Sequence, residues 1–163
     1  MESTLRRTWA EIDLDALAHN YQTLRRRTGT RFVGVVKADA YGHGSVQVSR
    51  VLEELGADYL AVSSLDEAME LRAGGIHMPI LILGHTPPER VEELLRYHIT
   101  QTVTCEAKAL EYSAEAVRCG GTLKVHIKVE TGMSRLGFLC GGDHFKTGVA
   151  GICAACTLPG LEA

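Results

Sequence analysis

An apolar run, Phe32-Val33-Gly34-Val35-Val36, delivers a single lysine, Lys37, and then breaks into the polar, glycine-bearing segment Ala38-Asp39-Ala40-Tyr41-Gly42-His43-Gly44. A β-branched run bounded by turn residues reads as a buried strand, and an ammonium at its end is costly unless it is paired, solvated or used chemically. Spacing alone favours the plain reading, a strand-end lysine whose stem lies on the fold while its head reaches water. The chemical reading is an amine that condenses with an aldehyde cofactor. Tyr41 would then supply a phenol donor, and Gly42 and Gly44 a backbone that approaches an anion closely near a helix N-terminus.

The elements that must position Lys37 follow from periodicity. Trp9 to Leu14 alternates as a short strand, Asp13 or Asp15 caps a helix through Tyr21 and Leu24, and Gly29 stops it before the lysine strand over 31–38. A helix over about 45–55 ends at Gly56 and is followed by the strand Tyr59-Leu60-Ala61-Val62-Ser63. Ser64 caps the next helix, which stops at Gly74-Gly75; Pro79 to Gly84 is an apolar strand, and Pro87-Pro88 opens a helix through Leu94. Thr100 to Cys105 reads as a strand, Glu106 to Arg118 as a helix, Thr122 to Glu130 as a strand alternating at Leu123, Val125, Ile127 and Val129, and His144 to Cys156 as a last helix with no strand after it.

Strand and helix thus alternate without a hairpin signal, the pattern of βα units on a parallel sheet, doubly wound or closed as a barrel. A (β/α)8 barrel needs about 250 residues, and about five strands fit this chain, so it cannot complete one. In such folds the C-terminal strand ends face the ligand. Lys37, Ser63-Ser64, Gly84-His85 and Glu130-Thr131-Gly132-Met133-Ser134-Arg135 would therefore share one rim.

Composition excludes several classes. With 163 residues, 45% apolar, 23% charged and a net charge of −3, the chain is a soluble globular unit with no electrostatic case for nucleic acid. The triplet Arg25-Arg26-Arg27 closes a helix, where positive charge suits the dipole and solvent. Five cysteines, irregularly spaced and without a preceding signal peptide, suit reduced thiols in the cytoplasm. Cys153-Ala-Ala-Cys156 lacks the second pair a zinc ribbon needs, so no metal site is expected. No apolar run approaches the ~20 residues that span a bilayer.

Val35-Val36-Lys37-Ala38-Asp39-Ala40-Tyr41-Gly42-His43-Gly44 resembles the pyridoxal-phosphate lysine motif of alanine racemases. Glu130-Thr131-Gly132-Met133-Ser134-Arg135-Leu136-Gly137 resembles that family's second signature, usually begun by Asp, and Trp9 to Leu14 with Asn20-Tyr21 resembles its amino-terminal pattern. The resemblance covers essentially the whole chain. It implies an incomplete (β/α)8 TIM-type barrel, α/β in class, made of about the first five to six βα units. Residues 1–163 would be the amino-terminal part of the PLP-binding barrel domain, with the carboxy-terminal β domain absent. It further implies that Lys37 is the catalytic base joined to pyridoxal 5'-phosphate, that Tyr41 contacts the cofactor phosphate, and that Arg135 lies near the cofactor ring and the substrate carboxylate. Lys128 matches a lysine often carbamylated in the family; the other reading of it is an outward-facing strand residue. His43 reads as a turn residue and Asp39 as a cap or turn former.

The implied reaction interconverts L-alanine and D-alanine, supplying D-alanine to cell-wall peptidoglycan, in a cytoplasmic homodimer whose second base, a tyrosine, comes from the partner subunit. The fragment by itself is expected to be inactive. Two further readings stay open: a serine racemase of the same family, and a non-catalytic truncated half-barrel whose free strand edge and apolar inner face drive self-association.

Overall fold

A computed structural model describes residues 8–163. Asp13 accepts a hydrogen bond from the Ala16 N–H at 2.9 Å, which starts α1 (Leu14–Thr28), and Gly29 ends it in the left-handed conformation at φ 63°. The strand expected over 9–14 is absent: Trp9 to Asp13 is exposed and pairs with no strand among the described residues. Alternation alone does not make a strand, because its hydrogen bonds come from elsewhere in the chain. Arg25 is not simply solvated either. Its guanidinium donates to the Tyr21 hydroxyl and to the Gly56 carbonyl, tying α1 to the loop after α3 (Ser45–Glu54).

The strands β1 (Val33–Val35), β2 (Tyr59–Val62), β3 (Ile80–Ile82), β4 (Ile99–Val103), β5 (Leu123–Ile127) and β8 (Leu161–Glu162) form one sheet in that order, parallel throughout. Between them run α2 (Lys37–Gly42), α3, α4 (Leu65–Ala73), α5 (Val91–Arg96), α6 (Glu106–Arg118) and α7 (Phe145–Cys156). The lysine strand is three residues long rather than the eight expected over 31–38, because Lys37 already opens a turn. The strand expected to be missing after the last helix is present: Leu161 pairs with Leu123, and the Leu123 N–H donates to the Gly160 carbonyl at 2.9 Å. Five βα units are therefore complete and a sixth has begun, an incomplete TIM-type barrel.

Register divides the side chains into two faces. Leu60, Val62, Ile80, Ile82, Ile99 and Val103 are buried under the helices, against Leu52, Leu71, Leu94 and Tyr112 among others. The opposite, concave face carries Val33, Val35, Ala61 and Leu81 on β1 to β3, but Thr100, Thr102, Lys124 and His126 on β4 and β5. The Tyr59 hydroxyl shares a hydrogen bond with Thr100 Oγ1 at 2.9 Å, and its ring lies 5.5 Å from that of His126. The inner face is thus apolar on one half only, not throughout.

Candidate functional site

The pairing of Val35 with Ala61 and of Ala61 with Leu81 puts Lys37, Ser63 and Leu83 at one level, just past the C-terminal ends of β1, β2 and β3. The Val36 N–H closes the ladder by donating to the Ala61 carbonyl at 2.9 Å. Beyond it the chain makes a left-handed turn, with Ala38, Asp39, Ala40 and Tyr41 at φ 50, 54, 51 and 57°. Such a conformation costs an L-residue roughly 1–2 kcal/mol, so four in succession need outside support. The Ala40 N–H donates to the Val36 carbonyl at 2.9 Å, and the Gly44 N–H to the Asp39 carbonyl at 3.0 Å. His43 Nδ1 donates to the Ala40 carbonyl at 2.9 Å, the turn role expected for it.

Asp39 acts as the cap the sequence suggested, its Oδ1 accepting the Ser45 N–H at 2.7 Å. That bond satisfies one of the N–H groups at the start of α3 with the protein's own carboxylate.

Glu67, which the reading of the sequence passed over, supports the turn from below. Its Oε1 accepts the Ala38 N–H at 2.8 Å and its Oε2 the Ser63 N–H at 2.6 Å. Burial pushes the Glu67 carboxyl up, but the Ala38 and Ser63 N–H groups outweigh it and hold the carboxyl below its usual range. The signal was present as Ser64-Leu65-Asp66-Glu67, a capping box, with Ser64 Oγ accepting the Glu67 N–H at 3.3 Å.

The second signature begins where the strand expected over 122–130 breaks. Lys128 separates β5 from β6 (Val129–Glu130), its N–H donating to the Val103 carbonyl at 2.9 Å and its carbonyl accepting the Phe138 N–H at 2.8 Å. Phe138 opens β7 (Phe138–Leu139), parallel to β6. Strand alternation carries Lys128 onto the inner face with Lys124 and His126, and it is half-buried. The Glu130 carboxylate accepts the Ser134 N–H at 2.6 Å and the Gly132 N–H at 2.9 Å, and those bonds hold its pKa below the usual range. Gly137, at φ 125°, packs on the backbone of 128–130, where a Cβ would stand 2.8 Å from the Lys128 carbonyl oxygen and the Glu130 nitrogen. Arg135 is exposed on this loop, and Tyr41 is 61% exposed on the turn.

Among the described residues, none of Lys37, Lys128 and Arg135 is in an ion pair. A half-buried amine on a rigid turn without a carboxylate partner fits a carbonyl-bearing cofactor, and an exposed guanidinium fits a carboxylate or carbamate. Two cavities lie elsewhere: one of about 330 Å³ at the N-terminal strand ends, beside Arg72 and His98, and one of about 530 Å³ between α1 and α3. Neither is lined by Lys37, Tyr41 or Arg135. Among the described residues no cluster of metal-ligating side chains occurs, and no helix is long and apolar enough to cross a membrane.

The family model described as alanine racemase, N-terminal domain, matches residues 12–158. An alanine racemase of Desulfovibrio desulfuricans is 48% identical over 139 residues, 84% of this chain and 38% of the relative. One from Clostridium perfringens is 44% identical over 163 residues, 99% of this chain and 41% of the relative. Among solved structures, the alanine racemase of Clostridium difficile 630 in complex with cycloserine superposes with a TM-score of 0.88 at 38% identity, covering 98% of this chain and 43% of that one. The chain spans about two fifths of the length of these relatives.

Proposed function

This chain belongs to the alanine racemase N-terminal domain family, and we propose that it supplies the lysine-bearing part of a pyridoxal 5'-phosphate-dependent racemase that interconverts L- and D-alanine. The observation that carries the reading is Lys37: a half-buried, unpaired amine at the end of β1, on a turn fixed by hydrogen bonds from both sides. The cofactor, when bound, supplies a conjugated ring that spreads the charge developing at the substrate Cα.

The chain's own residues do the rest. Lys37 Nζ holds the cofactor and exchanges a proton with the substrate Cα from one face. The Tyr41 hydroxyl donates to the cofactor phosphate. Arg135 offers a planar fork to the substrate carboxylate, and Lys128, on the same inner face as His126, would pair with that arginine once carbamylated. A second base is required on the opposite face, and we assign it to a partner subunit in a homodimer. Residues 1–163 are in this reading the amino-terminal part of the barrel domain, which further βα units and a carboxy-terminal β domain complete. The five free thiols suit a cytoplasmic setting. Serine in place of alanine would use the same residues.

Borohydride reduction in the presence of pyridoxal phosphate should fix one label on Lys37 and none in Lys37→Ala, read by peptide mass spectrometry. Exchange of D- and L-alanine should accompany labelling when the chain carries its natural flanking sequence. Label that persists in Lys37→Ala would overturn the assignment.

A further inference from the structure

Ala38 directly follows Lys37 and is the first left-handed residue of α2, so its N–H lies outside the β1 ladder and has no preceding turn of helix to bond to. The group that receives it comes from a different βα unit, 29 residues along the chain. We infer that Glu67 is a positioning residue for Lys37: its carboxylate joins the N–H after Lys37 to the Ser63 N–H at the end of β2, and so fixes where the amine stands on the rim. The inference rests on the cofactor-binding reading of Lys37 given above.

Helix capping alone does not account for the geometry. In a capping box the acidic side chain accepts the N–H of the N-cap residue, here Ser64, whereas Oε2 accepts the N–H of Ser63, one residue earlier, at 2.6 Å. Oε1 instead leaves the helix and reaches the neighbouring strand end, 2.8 Å from the Ala38 nitrogen. Lys37 and Ser63 lie at one level by the register of β1 and β2, so a two-oxygen acceptor between them spans adjacent strands, about 4.8 Å apart. Both facing groups are donors. A carboxylate satisfies both, whereas an amide offers one oxygen and points an NH2 at the other N–H. The lowered pKa of Glu67 keeps it in the accepting form at neutral pH.

The test compares Glu67→Gln and Glu67→Asp with Ser64→Ala, which removes the helix cap and leaves Ala38 untouched, all in the protein with its natural flanking sequence. Two readouts are taken: hydrogen exchange of the peptide spanning residues 36–41, and the pyridoxal phosphate concentration that half-saturates borohydride labelling of Lys37. Glu67→Gln should speed exchange at Ala38 and raise the half-saturating concentration roughly tenfold. Glu67→Asp, a carboxylate one methylene short, should fall between, and it serves the same comparison if the glutamine variant does not fold. Ser64→Ala should match the parent in both readouts while losing thermal stability. A Glu67→Gln protein that labels and exchanges like the parent would reduce Glu67 to a helix cap. A parent that takes no label on Lys37 would instead remove the cofactor reading, and with it the inference.

Discussion

Two carboxylates, Glu67 and Glu130, hold backbone N–H groups at the ends of β1, β2 and β6, and both titrate below the ordinary glutamate range. The sign of the linkage follows. A carboxylate whose folded pKa is depressed adds stability that is complete above its unfolded value, near 4.3, and is lost as pH falls through the folded value. For Glu130 the cause is the Ser134 N–H first and the Gly132 N–H second, so protonation should loosen the loop bearing Arg135. The 13C carboxyl resonance of Glu130 should therefore titrate with a midpoint below that of free glutamate. Over roughly pH 5 to 3 the stability gap between the parent and Glu130→Gln should narrow. A titration midpoint at or above the free value, or a gap independent of pH, would rule this out.

At the level of elements, the fit of α7 to β7 is closer than helix propensity suggests. A Cβ built on Gly148 would stand 2.0 Å from the Leu139 carbonyl oxygen and 2.8 Å from Cys140 Sγ, so the helix rests on backbone that cannot yield. In an exposed helix Gly→Ala gains up to about 1 kcal/mol. Here overpacking dominates, and Gly148→Ala should destabilise by about 1–3 kcal/mol in urea denaturation. An unchanged or higher midpoint would show that α7 shifts freely. The same distinction between local and distant causes explains what the sequence disclosed. The helices from Glu106 to Arg118 and from Ser45 to Glu54 were legible because caps and three-to-four spacing are local. The failed strand at 9–14 and the two-residue β8 were not, since pairing depends on partners far along the chain. The turn Ala38–Tyr41 hid its handedness for a related reason. Its left-handed run contains no glycine, and the groups that impose it, Glu67 and Val36 among them, come from packing rather than from its own composition. Lys37, Tyr41, Lys128 and Arg135 were legible as motif positions, whereas the reach of Glu67 beyond its own helix to the Ala38 N–H depends on how two βα units pack.

Over the whole molecule, a parallel sheet is stable when both faces and both edges are covered. Here the helices cover one face, while β1 and β8 each have one neighbour among the described residues. Val33 and Val35 on the β1 edge are 51% and 42% exposed, an unusual state for β-branched residues of a parallel strand. The other half of the concave face is polar, with Thr100 and Thr102 buried and Lys124 and His126 exposed to water. Association should therefore run through the β1 edge rather than through the face as a whole. The 163-residue chain, prepared by itself, should show a size that rises with concentration in analytical ultracentrifugation. Val33→Lys with Val35→Lys, charges at an exposed edge, should shift it towards monomer, whereas His126→Lys, at an exposed position of the polar half, should not. A sharp monomer at every concentration, or equal effects of the two substitution sets, would mean that the β1 edge is not what drives association.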